Sequence, residues 1–194
     1  MSNLSVPYNE SSDYVRENPR MGEHQAVCSQ IHNLGHQLFK GNSSLSPQVA
    51  FIFEIAQTLK EGNFAGRQMC ANRKFSLYFG KNNELRKFIG DWRGKALSDE
   101  ECKKFDFTVL IGKAATIVIT HNQGTGANAG KTYANIAGIA PPSKTTQPVQ
   151  ITFTDEPEWV KKKKAEAVLP PPKTNVTIQN IPSKSNPEED QLPF

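Results

Sequence analysis

The sequence of 194 residues predicts a mainly β protein with a single folded body. Short segments of alternating apolar and polar residues recur along the chain, and this alternation is the period of a half-buried strand. A stretch near the middle changes to the three- and four-residue spacing of an amphipathic helix. Residues typical of turns separate these segments. A chain of this length can bury a core without disulfides, and its three cysteines contain no CxxC pair.

Five alternating segments predict strands. The clearest covers residues 48–55, in which Val49, Phe51, Phe53 and Ile55 share one face. The other four predicted strands cover residues 24–34, 68–79, 113–121 and 131–139. Glycine- and proline-containing loops lie between them, as expected for short antiparallel strands.

One helix lies between the third and fourth predicted strands. Leu85, Phe88 and Trp92 recur at helical spacing within residues 82–97, and a capping box beginning at Ser98 predicts a further short helix. The order of strands with a helix between strands 3 and 4 is that of an OB-fold, a five-stranded Greek-key barrel. We therefore expect an OB-fold.

The folded body is assigned to residues 21–155. Residues 1–20 are polar and contain two prolines, which predicts a flexible N-terminal arm. Residues 147–159 leave room for one extra strand and a turn. Residues 156–194 are rich in proline and polar residues and are interpreted as a disordered linker with an acidic end. The lysine run Lys161–Lys164 is interpreted as a solvated tether within it.

Charge is distributed unevenly along the chain. Residues 21–150 contain 15 lysines and arginines against 9 acidic residues, whereas residues 151–194 contain 6 against 7. A basic body suggests a polyanion as its partner.

The sequence offers little support for an enzyme. The segment GTGANAGKT (residues 124–132) lacks the glycine spacing and the following helix of a phosphate-binding loop. His32 and His36 have no cysteine or acidic residue at metal-ligand spacing. We therefore expect no catalytic residue, no metal and no cofactor.

The candidate binding surface is the polar face of the third strand, where Lys74, Ser76 and Tyr78 alternate with apolar residues. Cations beside an exposed aromatic ring suit single-stranded nucleic acid, because the charges meet phosphates and the ring stacks on a base. Loop residues expected to flank this face extend the set. The predicted ssDNA-binding residues are Phe39, Lys40, Arg67, Arg73, Lys74, Tyr78, Lys81, Lys131 and Tyr133.

The last nine residues, NPEEDQLPF, form a second candidate site. They combine acidic side chains and the terminal carboxylate with an apolar end, which predicts a short peptide that a partner protein binds. The predicted partner-binding residues are Glu188, Glu189, Asp190, Leu192, Pro193 and Phe194.

Residues 21–142 resemble the phage-encoded single-stranded DNA-binding proteins with an OB-fold. The resemblance rests on MGEHQAVCSQIHNLG, on FSLYFGKNNELRKFIGDWRGKALSDEE with its L-x-K-x-I-x-x-W-R-G core, and on YANIAGIAPP. The acidic tip is similar to that of bacterial single-stranded DNA-binding proteins, in which it docks on replication, recombination and repair proteins. The resemblance implies a protein that coats and protects ssDNA in the cytoplasm of a bacterial host, near the nucleoid.

The partners expected are thus single-stranded DNA and replication, recombination or repair proteins, with no membrane, and self-association is left open. Three alternatives also remain open. The chain could be a protein-interaction module for host recombination factors, a single-strand annealing protein, or an RNA-binding OB-fold. No apolar run reaches the roughly 18 residues of a membrane span.

Overall fold

The computed structural model describes residues 17–38, 44–61, 64–143 and 148–169. These residues form a mainly β structure with a five-stranded antiparallel sheet. The strands are β1 (Gly22–Leu38), β2 (Leu45–Thr58), β3 (Gln68–Ser76), β4 (Ala114–Gln123) and β5 (Thr132–Ala140). The helices are α1 (Glu84–Arg93), α2 (Asp99–Lys103) and α3 (Glu158–Ala165). All five predicted strands are present. β1 and β2 are longer than the segments that predicted them, whereas β3 ends at Ser76, so that Tyr78, which was predicted to lie on this strand, comes after it.

The long strand β1 lies at the centre of the sheet, whose order is β3-β2-β1-β4-β5. Its N-terminal part pairs with β4 from Gly22 to Val27, while most of its length pairs with β2. The β1–β2 register shifts twice, between Cys28 and Gln30 and again between Asn33 and Gly35. Such bulges bend a strand and increase its twist. The sheet curls accordingly, and Cα atoms of its two edge strands, β3 and β5, approach within 8 Å.

The curled sheet encloses an aromatic core that α1 completes. The alternating residues of β2 face inward, and the Phe51 ring packs edge-on against Phe75 and tilted against Phe88. Trp92 is also buried, and its Nε1 donates to the Ala114 carbonyl at 2.9 Å. The core role that helical spacing predicts for Phe88 and Trp92 is therefore confirmed.

Helix α1 begins and ends at defined caps. The Asn83 side chain accepts from the amides of Leu85 and Arg86, and Gly94 ends the helix with a φ of 67°. That left-handed conformation favours glycine.

The capping box at Ser98 forms as the sequence predicts and begins α2. The Glu101 carboxylate accepts from the Ser98 amide at 2.8 Å and from Arg93 Nη2 at 2.7 Å. The hydrogen bond from the Ser98 backbone, followed by that from Arg93, lowers the pKa of Glu101 to about 2.

The placement of the helices does not match that of the expected OB-fold, which has one helix between strands 3 and 4. Both α1 and α2, together with a 3-10 turn over Phe107–Leu110, follow β3, and α3 follows β5. Residues 148–157, where the sequence leaves room for an extra strand, are extended but join no strand of the sheet.

Residues 148–169, named here the C-terminal strap, cross the outer surface of β1 and β2. The carboxylate of Glu54, which is fully buried, accepts from Thr152 N at 2.8 Å, from Thr152 Oγ1 at 2.6 Å and from Phe153 N at 3.0 Å. Gln30 Nε2 donates to the carbonyls of Phe153 and Asp155.

The strap ends in α3, whose Val160 is fully buried in a small cluster with Leu34, Ala50 and Ile52. The assignment of a linker from residue 156 onward is therefore corrected for the part up to 169. The physical reason is that β2 has two apolar faces, and its outer face needs a cover.

The predicted N-terminal arm also needs a correction at its end. Asn18 Nδ2 donates to the Thr132 carbonyl at 2.8 Å, and the Pro19 carbonyl lies 2.7 Å from His121 Nε2. Asn18 and Pro19 are therefore attached to the β4–β5 hairpin, while Glu17 accepts from Lys60 N and Arg20 N donates to Gln57 at the end of β2. Among the helices in the described ranges, none is both long and apolar enough to cross a membrane.

Candidate nucleic-acid interface

The outward side chains of β3 and of the chain just after it form a strip of cations and an aromatic ring. Lys74 lies on β3, and Tyr78 and Lys81 follow it before α1 begins. The Tyr78 side chain is 60% exposed, although large aromatic side chains are usually buried. Its ring lies over Gly80, where a Cβ atom would come within 2.7 Å of the Tyr78 hydroxyl oxygen. Lys74, Tyr78 and Lys81 are named here the β3 strip.

The two lysines of the β3 strip have no carboxylate within ion-pair distance in the part of the chain that the structure describes. Burial, and then the charge of Lys163 on α3, lower the pKa of Lys74. Lys81 lies close enough to Asp99 for its charge to contribute to the lowered pKa of that carboxyl, but neither lysine is held in an ion pair, so each can bind an external anion.

Arg73 lies elsewhere than the sequence suggests. Its guanidinium points into the gap between β3 and β5, where Nη1 donates to the Ile136 carbonyl at 3.1 Å and lies 3.4 Å from the Ala137 carbonyl. It also lies over the rings of Phe75 and Phe88, at 5.0 and 5.5 Å from their centroids. Arg73 therefore links the two edge strands, in a region named here the β3–β5 seam.

The alternation of β3 contains the signal for this role. Arg73 and Phe75 are two residues apart and so must share the inward face. The sequence analysis grouped Arg73 with its cationic neighbours without applying that test.

Arg67 lies in the β2–β3 connection, at the other end of β3 from Tyr78. Its guanidinium lies 4.8 Å from the centroid of the Phe64 ring, which is 50% exposed. At roughly 3.3 Å per residue of strand, about 30 Å separates it from Tyr78. The structure therefore does not bring Arg67 into the β3 strip, but it reveals an exposed cation–aromatic pair with Phe64 that the sequence analysis missed.

Lys131 and Tyr133 lie on the β4–β5 hairpin. The Lys131 carbonyl accepts from Gly124 N at 2.7 Å, and Tyr133 is 38% exposed opposite Asn122. Tyr133 comes three residues before Ile136, which places it roughly 10 Å along β5 from the contact with Arg73. These two residues thus lie on the opposite side of the β3–β5 seam from Lys74.

Eight of the predicted site residues lie outside the described residues. They are Phe39, Lys40, Glu188, Glu189, Asp190, Leu192, Pro193 and Phe194.

A basic groove beside α1 was not predicted. Its volume is about 830 Å³, and its lining includes Lys81 of the β3 strip and three further cations, Arg86, Lys87 and Lys95. Arg86 is paired with Asp99, and Lys87 with Asp91, which also lines the groove. Lys81 and Lys95 remain unpaired within the described ranges. The groove therefore extends the cationic surface from the end of β3 along the polar face of α1.

The lysine run of α3 is less basic than its sequence suggests. Lys161 pairs with Glu158 and Lys163 with Glu166, each at 2.6 Å, and Lys164 pairs with Glu156. The tether interpretation of this run is corrected, because it forms a helix with three of its four lysines in ion pairs.

Histidine and cysteine side chains are the usual candidates for metal binding and nucleophilic chemistry. No cluster of three or more His, Cys, Asp or Glu residues that could hold a metal ion occurs there. His32 contacts Gln30 and Glu156, and its pKa is lowered by burial, followed by the charge of Lys164. Burial raises the pKa of the Cys28 thiol to about 12, so this cysteine is a poor nucleophile.

No protein-family model matches the chain, and no curated protein sequence is significantly similar to it.

Proposed function

We propose that this chain is a non-enzymatic protein that binds single-stranded DNA without sequence specificity, using an OB-fold barrel. It would coat and protect ssDNA during replication, recombination or repair in a bacterial host, and recruit partner proteins through its acidic C-terminal tip.

The sheet order supports the OB-fold. A closed five-stranded Greek-key barrel needs β1 to pair with both β2 and β4, and needs the edges of β3 and β5 to meet. The first condition is met by backbone hydrogen bonds. For the second condition, β3 and β5 approach each other, and the Arg73 side chain of β3 donates a hydrogen bond to the Ile136 carbonyl of β5.

The observation that carries the DNA proposal is the β3 strip. It presents an exposed tyrosine between two lysines that no described carboxylate neutralises. A base stacked on a tyrosine contributes about 1–3 kcal/mol regardless of its identity, and cations bind phosphates with release of counterions. The proposal is also supported by the position of Lys74 on β3, because an OB-fold binds oligonucleotides on the face of strands 2 and 3.

The tip supports the second half of the proposal through its composition. Three acidic side chains precede the apolar residues Leu192, Pro193 and Phe194. A partner with a basic rim around an apolar pocket would bind it.

The test is fluorescence anisotropy of labelled oligo-dT titrated with the full chain across a salt series, with a duplex and an oligo-U of equal length as competitors. We expect oligo-dT to bind well ahead of duplex. The logarithm of the binding constant should fall with log salt by about 0.7 per phosphate contacted.

Equal competition by duplex, or no binding near physiological salt, would refute the proposal and favour a protein-interaction module. Stronger binding of oligo-U would favour RNA. Accelerated pairing of complementary strands in a separate assay would add an annealing activity.

A further inference from the structure

Helix α3 is fixed over the outer face of β1 and β2, next to β3, whose Cys70 packs against the same cluster as Val160. The buried Val160 side chain packs between the helix and the sheet, and Gln37 Nε2 donates to the Lys163 carbonyl at 2.8 Å. Just after the helix, Val168 N donates to the His36 carbonyl at 3.0 Å. The helix is thus held along its length and forms a constant part of the surface.

The β2–β3 register places Lys74 next to this helix. Lys74 is paired with Ala50, and Ala50 lies in the small apolar cluster that Val160 of α3 completes. The Lys74 side chain therefore rises from β3 alongside α3. Lys163 follows Val160 by three residues and so lies on the same side of α3, and its charge acts on Lys74. The only described acid that pairs with either lysine is Glu166, with Lys163.

The C-terminal strap also limits where a nucleic acid can lie. Its residues cover the outer face of β2 at Ala50, Ile52 and Glu54, and they contact β1 at Gln30 and Gln37. An OB-fold ligand normally lies across the face of strands 2 and 3. On this chain the part over β2 is occupied, so the accessible part is the margin between α3 and the β3–β5 seam.

We infer that α3 forms one wall of the nucleic-acid groove, and that a phosphate of the bound strand lies between the ammonium groups of Lys74 and Lys163. This inference rests on the proposed function and deepens it by naming a phosphate site and the path of the strand. A phosphate there supplies the opposite charge that Lys74 lacks, and Lys163, which is already paired with Glu166, adds a second cation on the other side of the phosphate. The strand continues from this site past Tyr78 to Lys81.

The experiment compares full-length Lys74→Ala, Lys163→Ala and the double variant in the oligo-dT salt series. Each single substitution should lower the salt slope by about 0.7, which corresponds to about a fivefold loss of affinity at 0.1 M salt relative to 1 M. The double variant should lose less affinity for oligo-dT than the product of the two single fold-losses, because both lysines bind one phosphate. Lys161→Ala is the matched control, since it removes an ion-paired lysine from the same helix, and its affinity should stay within twofold of the unmodified chain.

A second measurement does not depend on substitutions. Acetylation of lysines by an amine-reactive reagent, read by mass spectrometry, should slow at Lys74 and Lys163 when oligo-dT is added, and stay unchanged at Lys161.

The outcomes separate the inference from the proposal beneath it. If the chain binds oligo-dT but Lys163 behaves like Lys161 in both measurements, ssDNA binding stands and the phosphate site is refuted. If the unmodified chain does not bind oligo-dT at all, both are refuted.

Discussion

Replacing Glu54 by alanine should release the C-terminal strap from the sheet. The carboxylate is fully buried and accepts three hydrogen bonds, two from backbone amides and one from the Thr152 hydroxyl. Without it, the amides of Thr152, which is an exposed residue, and of Phe153, which is half-buried, lose their acceptor. Each hydrogen bond to a charged group is worth about 1.5–3 kcal/mol, and each unsatisfied buried donor costs about 1–3 kcal/mol.

The expected loss in the free energy of unfolding is about 3–5 kcal/mol, less than the sum of the three bonds. The upper limit comes from the strap itself, because once it detaches water can solvate the freed amides. Once the strap has detached, the loss in the free energy of unfolding equals the free energy that the docked strap contributes. Chemical denaturation measures the total loss, and hydrogen exchange at the Thr152 and Phe153 amides reports the local release.

The matched control is Glu23→Ala, which removes an exposed carboxylate from β1 that makes no described ion pair. It should change stability by no more than about 0.5 kcal/mol. The reasoning is refuted if Glu54→Ala is as mild as this control, or if it destabilises the chain while the exchange of the two amides stays as slow as before.

Three further predictions concern other parts of the molecule. Gly35→Ala should lower the free energy of unfolding by about 2–4 kcal/mol, measured by chemical denaturation, because φ is 70° and a Cβ would lie 2.7 Å from the strap. Gly66→Ala is the control: its φ is 83° but no atom lies within 4 Å of the added Cβ, so it should cost only the backbone strain of about 1–2 kcal/mol. Tyr78→Ala should weaken oligo-dT binding by about 1–3 kcal/mol while Tyr78→Phe keeps most of the affinity, and equal losses in the two variants would exclude stacking. The pKa of Glu101 is lowered to about 2 from an ordinary 4.5, so its contribution to stability is complete above pH 4.5 and is lost as the pH falls towards 2. Carboxyl NMR should find that titration midpoint, and a midpoint near 4.5 would contradict the capping-box geometry.

Much of the fold followed from periodicity, because periodicity records which side chains face the core. The alternation around Phe51 predicted β2, and the spacing of Trp92 with its neighbours predicted α1. Alternation also placed Arg73 on the inward face, but a charged side chain is stable on that face only if hydrogen-bond acceptors lie within its reach. Those acceptors are carbonyls of β5, and no pattern in a single sequence shows that two edge strands will meet.

The strap was missed for a related reason. Trp159 and Val160 are a single short apolar pair beside four lysines, which locally resembles a solvated segment. The partners of Val160 come from β1 and β2, more than a hundred residues earlier in the chain. A hint was present in Glu54, since a carboxylate in the middle of an otherwise apolar strand needs donors from another part of the chain. The β3 strip was the part of the candidate site that could be predicted, because its members are neighbours in sequence.

The distance along the chain between Glu54 and its donors has a consequence for biosynthesis. The bonds to Thr152 and Phe153 span 98 and 99 residues. While the ribosome is still making the later strands, the Glu54 carboxylate and the outer surface of β2 remain open to the solvent and to chaperones. The nascent chain can therefore complete its fold only after Val160 has left the exit tunnel. A ribosome stalled before that point would carry a partly folded chain.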